Sequence, residues 1–186
     1  MFENFEPCQI IYADPPWQFR DRCNAGARGV AHKYPTMDWR AIARLPVHEL
    51  AAPNCLLAMW WVAAMPEEAL RVVDAWGFSL KTMTGFTWCK VSAEGRTKFG
   101  MGNWTRANAE NCLFAARGRP KRVDAGVSQL IRSPAGRHSE KPLEARLRLV
   151  QLIGDVPRIE LFGRGHIPDG WQAYGNEIAP VDGDVA

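Results

Sequence analysis

Blocks of apolar residues alternate along the chain with stretches of helical period. "CQIIYA" (8–13) and "CLLAMWW" (55–61) are apolar almost throughout, as expected of central parallel strands covered on both faces. "FSLKTMTGFTWCK" (78–90), with Gly85 as a bulge, "ENCLFAAR" (110–117) and "RIELF" (158–162) read as further strands, and "VSQLIRS" (127–133) as a short edge strand. "MDWRAIARL" (37–45) predicts a short helix with Asp38 near its start. In "MPEEALRVVDAW" (65–76), Pro66 and two acids open a helix that places Leu70, Val73 and Trp76 on one face, and Gly77 stops it. "SEKPLEARLRLVQLIG" (139–154) is the clearest helix, with Leu143, Leu147 and Val150 on its apolar face and Gly154 at its end. This order predicts an open α/β sheet with helices on both faces.

Two connections are long. Residues 18–37 are rich in Gly, Arg and Ala without a period, and residues 92–108 are Gly-rich and polar. A loop as long as the first is a functional lid or disordered. There is no repeat or second-domain linker, and 186 residues fit one domain, 1–186, with a flexible tail over 179–186.

Composition narrows the function classes. With 47% hydrophobic residues the chain can bury a full core. No apolar run approaches the ~20 residues of a membrane span, and "MFENFEP" lacks the charged and apolar regions of a signal peptide. The expectation is a cytoplasmic protein without a membrane partner. The five cysteines form no C-x-x-C pair and read as reduced, packed thiols, and the four histidines are scattered, so no metal site is expected. Net charge is only +3, yet Lys90 to Arg148 hold 13 Lys/Arg against 5 Asp/Glu. That surplus is either a solvated face or a polyanion-binding surface.

In open α/β sheets, ligands bind beyond the carboxyl ends of the strands. Asp14, Trp61, Lys90 and the glycines after Phe162 all sit at strand ends. In "DPPW" (14–17), an ionised Asp14 only accepts hydrogen bonds, and Pro15 and Pro16 remove two N–H donors and leave local carbonyls free. Trp17 offers a flat π-face. Two acceptors beside an aromatic plate suit a planar heterocycle with an exocyclic amine, and acceptors on both amine hydrogens raise lone-pair density on its nitrogen. The plainer reading is a strand ending in a proline turn with a packing tryptophan. Lys141, beside the N–H groups of a helix starting near Pro142, forms an anion site or is a solvated lysine. Glu110 faces the same cleft or is a loop-end acid, and Trp60 and Trp61 read as core.

"YADPPW" (12–17), "KYPTM" (33–37), "HSEKP" (138–142), "IELFGR" (159–164) and "YGNEI" (174–178) occur in that order. Together they resemble the MT-A family of S-adenosylmethionine-dependent N6-adenine methyltransferases, over roughly residues 9–178. The resemblance implies a mostly parallel, Rossmann-like methyltransferase sheet and S-adenosylmethionine as cofactor. It implies that Asp14 and the Pro15 carbonyl hold the target amine, while Pro16 and Trp17 shape the base pocket and stack the base. Residues 18–37 would gate that pocket. Lys141 would pair with the cofactor carboxylate, and Arg164, His166, Asn176 and Glu177 would contact its ribose side, with Asp14 also at the cofactor. Two departures stand out. Only Met1 to Ala13 precede DPPW, so cover for the cofactor's adenine is expected from elsewhere, and Ile167 replaces an amide of the eukaryotic relatives.

The implied function is methyl transfer to adenine N6, with DNA favoured over RNA because the compact form resembles bacterial and phage members. Family members pair, which points to a homodimer. RNA N6-adenosine methylation, N4-cytosine methylation and a catalytically silent, nucleic-acid-binding partner subunit are the alternatives.

Overall fold

The computed structural model describes residues 2–18, 35–100, 104–134, 136, 140–165, 167–175 and 177–178. Its centre is strand β1 (Cys8–Ala13), which pairs in parallel with β2 (Ala51–Trp61) on one side and β6 (Arg158–Leu161) on the other. Alternate β1 residues divide between two cores. Ile11 and Ala13 join one apolar cluster, whereas Ile10 and Tyr12 join the second. Both faces of β1 are covered, which explains its nearly unbroken apolar run.

Outward from β2 lie β4 (Ala109–Arg117), β3 (Ser79–Val91) and the edge strand β5 (Leu130–Pro134); β8 (Gln172–Tyr174) flanks β6. The sheet order is β5-β3-β4-β2-β1-β6-β8. β4 runs antiparallel to both neighbours, and the other pairings are parallel. The carboxyl ends of the other strands therefore gather at one edge of the sheet, together with the amino end of β4. A small pair, β7 (Arg164–Gly165) and β9 (Glu177–Ile178), stands apart from it.

Helices α1 (Trp39–Ala43) and α2 (Pro66–Ala75) cover the first core and α3 (Leu143–Ile153) the second, as expected of a Rossmann-like α/β sheet. Asp38 caps α1, accepting a 2.9 Å bond from the Arg40 N–H. At Gly85, the Phe114 ring occupies the place a Cβ would take, and the β3–β4 register shifts beside it. Among the described residues, no helix is long and apolar enough to cross a membrane.

The apolar faces of two helices differ from expectation. In α3, Leu143 and Leu147 are 53% and 59% exposed, and Ala145, Arg146, Leu149, Leu152 and Ile153 face inward. The inward face carries an arginine whose charge is met by Glu160 of β6, so counting apolar residues selects the wrong side. In α2, Leu70 is exposed and Ala69, Val72 and Val73 are buried, with Trp76 just beyond the helix end.

Candidate active site

β1 ends at Ala13, and Asp14 follows at the gathered edge. Its N–H donates to the Leu161 carbonyl of β6 at 3.3 Å, which fixes the position of the carboxylate. The Lys141 ammonium, entering from the segment before α3, reaches Asp14 Oδ2 at 2.8 Å and Glu110 Oε2 at 3.3 Å. Glu110, near the amino end of β4, also binds Lys90 of β3. Two carboxylates and two ammonium groups thus form one chain: Asp14, Lys141, Glu110, Lys90. The Lys141 side chain is 9% exposed and lies 5.6 Å above the Trp60 ring.

Burial works against the charge on Lys141, but the carboxylates of Asp14 and Glu110 outweigh it and raise its pKa. Burial likewise opposes ionisation of Glu110, and Lys141 and Lys90 reverse that effect and hold its pKa below the usual range. Beneath the chain, Trp60 Nε1 donates to the Tyr12 hydroxyl at 2.7 Å. Beside it, Arg146 of α3 grips Glu160 in a two-pronged pair at 2.7 and 2.6 Å. Burial pushes the Glu160 carboxyl up while the guanidinium opposes that.

A small recess open to solvent is lined by Asp14, Glu140, Lys141, Arg146, Glu160, Phe162 and Arg164. Three acids and three bases line it, which suits a ligand bearing both an ammonium and a carboxylate. Two strand ends meet beside it. Phe162 takes φ 61°, in the left-handed region that a side chain rarely adopts. The N–H groups of Phe162 and Gly163 both donate to the Tyr174 carbonyl, at 2.6 and 3.3 Å. A Cβ on Gly175 would lie 2.7 Å from both the nitrogen and the oxygen of Gly163, so the glycine of "YGNEI" permits a close approach of the two strand ends.

The proline turn departs from the sequence reading. The carbonyls of Pro15 and Pro16 are not left free: Pro15 accepts the Trp17 N–H at 2.9 Å and Pro16 the Met37 N–H at 2.8 Å. Each carbonyl keeps a second lone pair. Trp17 is 5% exposed, packed in the first core with its indole N–H on the Trp60 carbonyl at 3.0 Å. Buried in this way it shapes the turn and does not offer an open face. The Gln18 N–H binds the Met37 carbonyl at 3.0 Å, so the two ends of the 18–37 segment are tied together. Its residues 19–34 lie outside the described residues, as do His166, Asn176 and the 179–186 tail, and Glu177 is described by backbone alone.

Asp14, Lys141 and Arg164 therefore share one cavity, and Glu110 takes the cleft-facing reading. The Arg146–Glu160 pair was missed. Its signal was an acid inside an apolar strand and an arginine inside an apolar helix, each of which needs a buried partner. The basic surplus does not form one surface. Arg117 closes β4 at the opposite edge from Asp14, where it binds the carbonyls of His48 and Ala51, and Arg119, Lys121 and Arg122 come just after it in the chain. Among the described residues, no group of three or more His, Cys, Asp or Glu could hold a metal ion.

Comparison with known proteins places this geometry in context. The MT-A70 family model matches residues 8–177. The chain is 29% identical to the Type II methyltransferase M.MunI of Mycoplasma sp, over 95% of this chain and 83% of that protein. It is 27% identical to human N(6)-adenine-specific methyltransferase METTL4, over 91% of this chain and 37% of that protein. It is 26% identical to the N6-methyladenosine RNA methyltransferase MTA1 of Cryphonectria parasitica, over 91% and 51%. The chain thus spans about half or less of the last two.

Proposed function

The chain belongs to the MT-A70 family of S-adenosylmethionine-dependent methyltransferases, and on that premise we propose that it methylates the N6 amine of adenine in DNA. The observation that carries this reading is the Asp14 carboxylate, set at a strand end beside the Pro15 carbonyl and held by Lys141. Bound S-adenosylmethionine supplies an activated methyl group. The cavity residues fit that group: Asp14 suits its ammonium, Lys141 its carboxylate, and Arg164 its remaining polar edge. His166, Asn176 and Glu177 join this cofactor side by family resemblance.

The chain's own contribution is orientation. Asp14 and the remaining lone pair of the Pro15 carbonyl accept the two amine hydrogens, and this aligns the nitrogen lone pair for in-line displacement. Pro16 holds the turn rigid and Trp17 braces it from beneath. The proton released from the amine passes to Asp14 or to water. A duplex substrate must first flip the adenine out of the stack, and residues 18–37 are placed in sequence to cover it.

The adenine N6 target is supported by the activities named for METTL4 and MTA1, and DNA by the likeness to the Type II methyltransferase M.MunI over 83% of that protein. RNA is the second reading, favoured by the MTA1 likeness. We read residues 1–186 as one cytoplasmic catalytic domain that works as a homodimer. Incubation with labelled cofactor and DNA or RNA, followed by nucleoside mass spectrometry, tests the proposal. N6-methyladenine is expected in DNA; its absence from both polymers, or the appearance of N4-methylcytosine instead, overturns it.

A further inference from the structure

Between β3 and β4 the chain leaves the sheet at Lys90 and returns beside Glu110, the two residues at the outer end of the ionic chain. The excursion begins as an extended hairpin. The Lys98 N–H donates to the Lys90 carbonyl at 2.8 Å, the Lys90 N–H to Asn108 at 3.0 Å and the Gly100 N–H to Ala107 at 2.5 Å. A Cβ on Gly100 would lie 2.8 Å from the Ala107 carbonyl, so glycine is required at this neck.

Around the neck are two aromatic rings that belong to neither core. Phe99 is 63% and Trp104 is 99% exposed. A tryptophan left in water forgoes burial of about 150–250 Å², and a stable fold gains nothing from placing it there. Lys98 and Arg106, both exposed, flank these rings, and the acid of this loop, Glu94, lies 3.7 Å from Arg96.

We propose that Phe99 and Trp104, with Lys98 and Arg106, form a stacking platform for an unpaired nucleobase next to the target adenine. This rests on the nucleic-acid methylation reading and adds the element that holds the strand. Aromatic plates interleaved with cations are what a single strand requires, since each base stacks on a ring and each phosphate meets a cation. Position agrees with composition. Arg106 is four residues from Glu110, at most about 13 Å along extended chain, and stacked nucleotides rise about 3.4 Å each. The platform thus lies within a few nucleotides of the Asp14 cleft. Extruding one base also leaves its neighbour without a stacking partner, a gap that an exposed ring can fill.

The test is titration of a labelled single-stranded DNA of about 12 nucleotides with the wild type, Trp104→Ala, Phe99→Ala and Trp104→Phe. Each alanine variant is expected to raise Kd about 5- to 150-fold, and Trp104→Phe to retain most of the affinity. S-adenosylmethionine binding by calorimetry and the thermal midpoint should stay at wild-type values. Unchanged Kd in both alanine variants overturns the platform. So does an unchanged Kd with a shift from dimer to monomer in sedimentation, which makes the loop a contact between copies. If the wild type binds the oligonucleotide through Trp104 but makes no methylated nucleoside, the methylation reading fails and the platform stands.

Discussion

Two groups of opposite charges lie within a few residues of each other at the gathered strand ends, and they are built differently. Arg146 and Glu160 close on one another, with side chains 5% and 4% exposed and both guanidinium contacts to the same carboxylate. The Asp14, Lys141, Glu110, Lys90 chain is open: exposure rises to 36% at Glu110, and among the described residues Asp14 Oδ1 accepts no hydrogen bond. The closed pair has little capacity left for a ligand. The open chain can exchange one internal partner for an external one, because Lys141 already divides its contacts between two carboxylates and Glu110 between two ammonium groups. A closed pair sets the shape of a site, and an open one meets what enters it.

This comparison can be broken experimentally. The largest effect is expected from Glu160→Ala, which strands a buried guanidinium and should lower stability by about 3–5 kcal/mol, read from denaturant unfolding. Replacing both members with apolar residues of similar volume, Arg146→Met with Glu160→Leu, should recover most of that loss. A failure to recover would show that the pair stabilises the fold beyond what apolar packing supplies there. Lys141→Ala should cost about 1.5–3 kcal/mol of S-adenosylmethionine affinity, the range for a charged hydrogen bond, with calorimetry as the readout. Unchanged affinity would put Lys141 with the structural pair.

Glu110→Gln gives the smallest effect and shows it through pH. A carboxyl held below its ordinary value contributes stability that is present above about pH 4.5 and lost as pH falls through its lower folded value. The wild type should therefore lose stability more steeply than Glu110→Gln below that pH. Parallel acid limbs in thermal unfolding would show that Glu110 carries no such linkage.

The central strands were legible because β1 and the second half of β2 are buried on both faces, which leaves an unmistakable apolar run. The convergence of Asp14, Trp61 and Lys90 at one edge followed from strand direction alone. The reversal of β4 was not legible, since "ENCLFAAR" reads the same in either direction, and that reversal is what brings Glu110 to the cleft. The facing of α3 was missed because its inward side includes Arg146, a charge that periodicity counts as outward. The state of the proline carbonyls was missed for a different reason. Proline removes donors from its own residue but not from Trp17 or Met37, whose N–H groups arrive through the turn and across the loop ends.

The central claim is that the Asp14 carboxylate grips the amine that receives the methyl group, so the most direct measurement is single-turnover methyl transfer to adenine-containing DNA by Asp14→Asn beside the wild type. Asparagine keeps the shape and loses the charge. The account predicts a fall in rate of about 10²-fold or more, with N6-methyladenine still formed by the wild type and the thermal midpoint of the variant close to it. Transfer by Asp14→Asn at the wild-type rate would contradict it.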